Sequence, residues 1–142
     1  MGHTYSNLLV HIVFSTKERI NFLYKGMRPE LFSYICGIAK NIDCYISKIG
    51  GVEDHIHILV KIPPNISASD VVMKLKANSS KWIHEKYPTL HDFAWQPGFS
   101  CFSVSESAKA NVQRYIELQE EHHKRIPLGH ELKMFYEKNK IL

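Results

Sequence analysis

At 142 residues, with 44% hydrophobic and 23% charged residues, the chain has the size and make-up of one globular domain, and it contains no low-complexity tract of the disordered kind. Its 18 Lys and Arg against 14 Asp and Glu leave a net charge of +4, which permits a polyanionic partner without requiring one. The three cysteines Cys36, Cys44 and Cys101, without CxxC spacing, argue against a disulfide framework or a cysteine zinc site, and the apolar stretch 7–14 is interrupted by His11 and far too short to span a bilayer.

These features lead us to expect a cytoplasmic protein with buried free thiols, no secretion signal and no membrane partner. The hydrophobic pattern predicts a first strand over Tyr5 to Ser15, ending at the polar run Thr16-Lys17-Glu18-Arg19. Pro29, at a favoured first-turn position, opens a first helix in which Leu31, Ile35, Ile38 and Ile42 recur at helical spacing. Cys44 to Ile49 reads as a second strand, Gly50-Gly51 as the turn, and His55 to Ile62 as a third strand stopped by Pro63-Pro64.

Ser67, with Asp70 three residues on, is a capping-box-like start for a second helix whose apolar stripe is Val71, Leu75, Trp82 and Ile83. Trp95 to Val104 reads as a fourth strand with a turn or bulge at Pro97-Gly98. Ser105 caps a long third helix running to about Arg125, and 126–142 is read as a C-terminal tail of undefined shape within a single domain spanning 1–142. The order of elements is that of an α+β, ferredoxin-like antiparallel sheet with helices packed on one face and an additional helix towards the C-terminus.

Two constellations carry chemistry. Asp54-His55-Ile56-His57 opens the third strand, where side chains two apart share a face, so the two imidazoles converge roughly 7 Å apart along the strand, close enough to share a divalent ion. A lone His-x-His is nevertheless common by chance. On the third helix, Tyr115, Gln119, His122 and His123 fall on one arc with Ala108 and Val112, while Glu117, Glu120 and Glu121 face the solvated side. A core tyrosine with a satisfied amide would explain part of that arc. The added imidazoles are costly to bury without partners and point to a site.

With these residues in place the sequence resembles the single-tyrosine HUH transposases of small bacterial insertion sequences. The resemblance runs from the opening strand and Thr16-Lys17-Glu18-Arg19 through Asp54 to Val60, Leu75 to Ser80 and Phe93 to Phe99, then Phe102 to Ser105 and Tyr115 to Gln119. It implies that Tyr115 is the nucleophile, on the additional helix, and that His55, His57 and Gln119 are the protein ligands of Mg²⁺ or Mn²⁺. It further implies a covalent 5′-phosphotyrosine intermediate, a released 3′-hydroxyl, recognition of single-stranded DNA hairpins at element ends, and a homodimer. Leu118 stands where many relatives are expected to carry Asn.

Lys17, Arg19, Lys74, Lys76, Lys81 and Arg114, with Lys124 and Arg125, are candidate phosphate contacts, though surface lysines are usually only solvated. Trp95, Phe99 and Phe102 are either base-stacking platforms or core. The sequence leaves open a domesticated or replication-type HUH nickase and a non-catalytic single-stranded nucleic-acid-binding module. It also leaves open whether Tyr115 serves its own subunit's histidines or its neighbour's; the resemblance implies the neighbour's.

Overall fold

The computed structural model describes residues 2–123 and 128–139. Four strands, β1 (Leu8–Ser15), β2 (Tyr45–Gly51), β3 (His55–Ile62) and β4 (Ser100–Val104), form one sheet in the order β2-β3-β1-β4, each neighbouring pair antiparallel. The helices are α1 (Arg28–Asn41), α2 (Ala68–Lys86), α3 (Lys109–Glu117), α4 (Gln119–His123) and α5 (Leu128–Lys138). The expected ferredoxin-like α+β arrangement is present.

β1 and β3 lie in the middle of the sheet and are buried on both faces, which explains their nearly unbroken apolar runs. One face, carrying Ile12, Phe14, Ile56, Ile58 and Val60, packs on Leu31 and Ile35 of α1 and on Val71, Leu75 and Ile83 of α2. α2 begins where the sequence places it, because the Ser67 side chain accepts a hydrogen bond from the Asp70 amide at 3.1 Å. The opposite face presents His11, Val13, His55 and His57, and α3 and α5 cover it. That covered second face is where the site lies.

Several expected boundaries shift. The first strand starts at Leu8 instead of Tyr5, and the second runs from Tyr45 through Gly50 and Gly51, which pair with His57 and Ile56 instead of forming the turn. The fourth strand is only Ser100–Val104: Trp95 makes a single bridge to Thr16, and Pro97 and Gly98 (φ 87°) then interrupt the ladder, because one lacks an amide donor and the other adopts a left-handed turn conformation. Trp95 and Phe102 are core residues. The Trp95 indole donates to Ser79 Oγ at 3.0 Å and its ring meets Phe14 edge-on, while Phe99 is exposed. Of the three free thiols, Cys44 is buried, whereas Cys36 and Cys101 are half-buried.

The long third helix is three pieces. A 3-10 turn, Glu106–Ala108, leads into α3, and the backbone leaves helical geometry at Leu118 (φ −96°, ψ 20°) before α4. The tail is not shapeless either, because Leu128, Leu132, Phe135 and Tyr136 of α5 pack on Val13 and Phe102. Lys124 and Arg125, the expected end of the third helix, lie outside the described residues.

Candidate active site

His55 and His57 project from β3 onto one face while Ile56 enters the core on the other, and both imidazoles are fully buried. Each is oriented by a bond to its inner ring nitrogen. His55 Nδ1 donates to Asp54 Oδ1 at 2.8 Å, and His57 Nδ1 lies 2.9 Å from His11 Nε2 on the adjacent strand. With Nδ1 engaged, each ring turns Nε2 into the same space, as a carboxylate or second donor behind a metal-binding histidine does. Burial pushes the Asp54 carboxyl up, but its hydrogen bond with His55 and the charges of His55, His123 and Arg19 together outweigh this and hold it below the usual range. Burial lowers His11 to about 4 and His57 well below its ordinary value, keeping both rings neutral and His57 available as a ligand.

Opposite the histidines, α3 lies close against the sheet because Gly50, which pairs with His57, has no side chain: a Cβ there would stand 2.6 Å from the Ile116 carbonyl oxygen. This close approach brings the Tyr115 ring to 5.7 Å from His57, 6.3 Å from His11 and 4.9 Å from His122, centroid to centroid. Gln119, one turn on, is buried beside it. The change of direction at Leu118 accompanies the placement of His123 Nε2 at 2.9 Å from His55 Nε2. Outside, Glu120 pairs with the buried Arg28 at 3.0 Å and Glu117 with Lys48 at 3.3 Å, tying α4 to α1 and α3 to β2. The expected outward acidic face is therefore real, and it also fastens the helices.

The structure brings Tyr115, His55, His57 and Gln119 together within one chain. It adds Glu131 from α5, 1% exposed, whose carboxylate accepts the Tyr115 hydroxyl hydrogen bond and one from Gln119 Nε2 at 3.3 Å. Burial, then the charge of Asp54, raises the Glu131 carboxyl to about 8. His55, His57, His123 and Glu131 each direct one donor atom into a space where all four lie within 4.8 Å of one another. His57 Nε2, Gln119 Oε1 and Glu131 Oε2 are buried there without hydrogen-bond partners. Lone-pair-bearing atoms gathered in this way fit a bound cation. Beside them, a cavity of about 420 Å³ opens between His11, Val112, Tyr115, His122 and Phe135.

The sequence model of the family Transposase IS200 like matches residues 4–119. The chain belongs to this family. It is 28% identical over 123 residues to the ISDra2 transposase TnpA of Deinococcus radiodurans, covering 83% of this chain and 87% of that protein. It is 30% identical over 142 residues to the transposase for insertion sequence element IS200 of Salmonella typhimurium, covering 96% and 90%. A crystal structure described as that of a transposase from Deinococcus radiodurans superposes with a TM-score of 0.69 at 26% identity, covering 84% of this chain and 96% of that one. The structure of a REP-associated tyrosine transposase bound to a REP hairpin gives 0.65 at 16% identity, covering 89% and 74%, a likeness of fold.

Membership of this transposase family makes the chain a DNA-cutting enzyme with DNA as its partner. Not every basic candidate in this family member lies near the tyrosine. Arg19 reaches the Asp54 end of the site, where its guanidinium lies 3.6 Å from the position of a Cβ at Gly129. Lys17 is exposed on the same 3-10 turn, and Arg114 is exposed on α3. Lys74 and Lys81 ride on α2, across the sheet from Tyr115, and Lys76 donates to the carbonyls of Gln96 and Gly98 at 2.7 and 2.6 Å, holding the loop before β4. No helix among the described residues is long and apolar enough to cross a membrane.

Sequence reasoning did not bring His11 or Glu131 to this cluster, and it placed His123 on the helix arc without giving it a partner. The alternation of β1 places His11 on the face of Val13, and the recurrence of Leu128, Leu132 and Phe135 marks α5, with Glu131 adjoining that stripe. What periodicity could not show is that these faces meet over His57.

Proposed function

We propose that the protein is a metal-dependent single-tyrosine transposase that cuts and rejoins single-stranded DNA at hairpin-bearing element ends. The observation that carries this reading is the meeting of the Tyr115 hydroxyl with a buried cluster that contains both histidines of His55-Ile56-His57. Held by His55, His57 and Gln119, Mg²⁺ or Mn²⁺ would neutralise the scissile phosphate and orient it for attack. His11 and Asp54 keep the two imidazoles pointing at that place. Gly50 lets α3 approach closely enough for Tyr115 to reach it.

In the reaction the Tyr115 oxygen gives up its proton to solvent and forms a bond to phosphorus. The bond from phosphorus to the 3′ oxygen breaks, and that oxygen takes up a proton as the free 3′-hydroxyl, leaving a 5′-phosphotyrosine. Attack by a 3′-hydroxyl on the same phosphorus reverses the step and joins strands. A passive single-strand binder has no need of a phenol beside such a cluster. The working unit is a homodimer, because two element ends must be processed together and closed two-fold symmetry duplicates one site.

The test is incubation with a labelled single-stranded hairpin oligonucleotide and Mn²⁺, followed by a denaturing gel. A covalent adduct is expected with the native chain and none with Tyr115→Phe, which should still bind the hairpin. Cleavage by the Phe chain identifies another nucleophile and overturns the assignment.

A further inference from the structure

The helix that completes the cluster lies beyond residue 119, where the family match ends. α5 docks through an apolar face: Leu128 is buried with Val13 and Phe102, Phe135 stacks on Phe102 with ring centroids 5.2 Å apart, and its edge meets Tyr115 at 5.3 Å. Into this apolar contact α5 carries one carboxylate. Burying a carboxyl group is costly unless it gains partners in return, so Glu131 is a poor choice if the helix serves only as a lid.

The surroundings of Glu131 indicate what offsets that cost. Its Oε1 is 3.2 Å from His57 Nε2, its Oε2 is 3.9 Å from His55 Nε2, and the same Oε2 adjoins His123 Nε2. Metal–ligand bonds of ~2.1 Å put neighbouring donors of an octahedral ion about 3.0 Å apart, so these separations need only modest adjustments to surround one ion. Neutral imidazole nitrogens and carboxylate oxygens aimed at one another are mutually repulsive unless a proton or cation lies between them. The hydrogen-bond orphans His57 Nε2 and Glu131 Oε2 are two of the atoms concerned.

We propose that Glu131 is a protein ligand of the divalent ion, supplied by α5, so that ion binding and docking of α5 over Tyr115 are one coupled equilibrium. This rests on the metal-dependent reading of the site and adds a residue and a helix to it. Glu131 adds a carboxylate to the two imidazoles and the amide of that reading, and His123 Nε2, in the same space, offers a third imidazole; with that imidazole the site favours Mn²⁺ and other transition-series ions over Mg²⁺ more strongly than two imidazoles and an amide do. Binding at this site then stabilises the docked helix, because the ion binds the docked form in preference to the undocked one.

The experiment titrates Mn²⁺ into the metal-free full chain by calorimetry and follows amide exchange of residues 128–139 with and without Mn²⁺. Glu131→Gln preserves the size of the side chain and its bond to Tyr115 and should weaken Mn²⁺ binding at least about ten-fold. Exchange across α5 should slow on adding Mn²⁺ in the native chain and stay unchanged in Glu131→Gln. Native affinity in a folded Glu131→Gln chain, or α5 exchange in the native chain indifferent to Mn²⁺, overturns the inference. The exchange arm needs no variant, so the question is decided even if the substitution impairs folding. His57→Ala separates the two levels. If it keeps native Mn²⁺ affinity, the metal reading of the whole site falls and this inference with it, whereas loss in His57→Ala beside native affinity in Glu131→Gln removes only Glu131.

Discussion

Replacing Gly50 with Ala should disable the site without touching any of its polar groups. The added Cβ would stand 2.6 Å from the Ile116 carbonyl oxygen and 3.1 Å from its Cγ2, whereas ordinary contact begins near 3.4 Å. Neither backbone can give way alone, since Gly50 is paired with His57 in the sheet and Ile116 is fixed within α3. α3 must therefore retreat by roughly 0.8 Å, taking Tyr115 with it, and a displacement of ~1 Å at a reacting group costs on the order of 100-fold in rate. Overpacking of this kind also destabilises by about 1–3 kcal/mol, which for a chain of this length lowers Tm by several degrees. The assay is cleavage of the labelled hairpin under single-turnover conditions, beside thermal unfolding. Gly37→Ala is the control: its Cβ meets nothing within 4 Å in an exposed stretch of α1, so it should keep full activity and raise stability by roughly 0.5–1 kcal/mol. Native cleavage and native Tm in Gly50→Ala would refute the claim that close approach of α3 positions the tyrosine.

Without metal, with EDTA present, stability should peak near pH 6.5. Glu131, raised to about 8, holds its proton in the folded state after the unfolded chain has lost it, so stability falls as pH rises from 6.5 to 8 by up to about 2 kcal/mol. His11 and His57, both lowered, resist protonation that the unfolded chain accepts, so stability also falls as pH drops below 6.5, outweighing the opposite effect of Glu131. Urea unfolding at pH 5, 6.5 and 8 measures this, and a flat profile contradicts the burial of these groups. DNA affinity should fall steeply between low and physiological salt, with Arg19→Ala and Lys17→Ala reducing the slope, and Lys74→Ala and Lys81→Ala, across the sheet from Tyr115, leaving it nearly unchanged. A slope that depends on the α2 lysines instead would relocate the DNA path. Mixing Tyr115→Phe with His57→Ala chains should restore no cleavage, since Tyr115 meets the histidines of its own chain. Recovery in demonstrated heterodimers would show sites shared across subunits.

The sequence by itself determined the sheet, α1, α2 and the converging histidines, because these depend on local rules. Alternation places His55 and His57 on one face of β3, the Ser67 cap starts α2, and Pro29 starts α1. Tyr115 and Gln119 were legible together for the same reason, being one helical turn apart, and the resemblance to the family supplied the roles proposed for them, which spacing could not. Only the tertiary structure decided the rest. The start of the fourth strand turned on Pro97 and Gly98 and on Trp95 entering the core, which depends on Ser79 and Phe14 from other elements. The break at Leu118 has no proline or glycine to announce it, and it accompanies the turn of His123 toward His55. Glu131 looked like one acidic residue in a tail, since nothing within 126–142 states that Leu128 will pack on Val13 and Phe102. A residue's chemistry is written in its type, but its burial and partners are set by chain segments distant in sequence, and for Glu131 those partners are His57 of β3 and Tyr115 of α3.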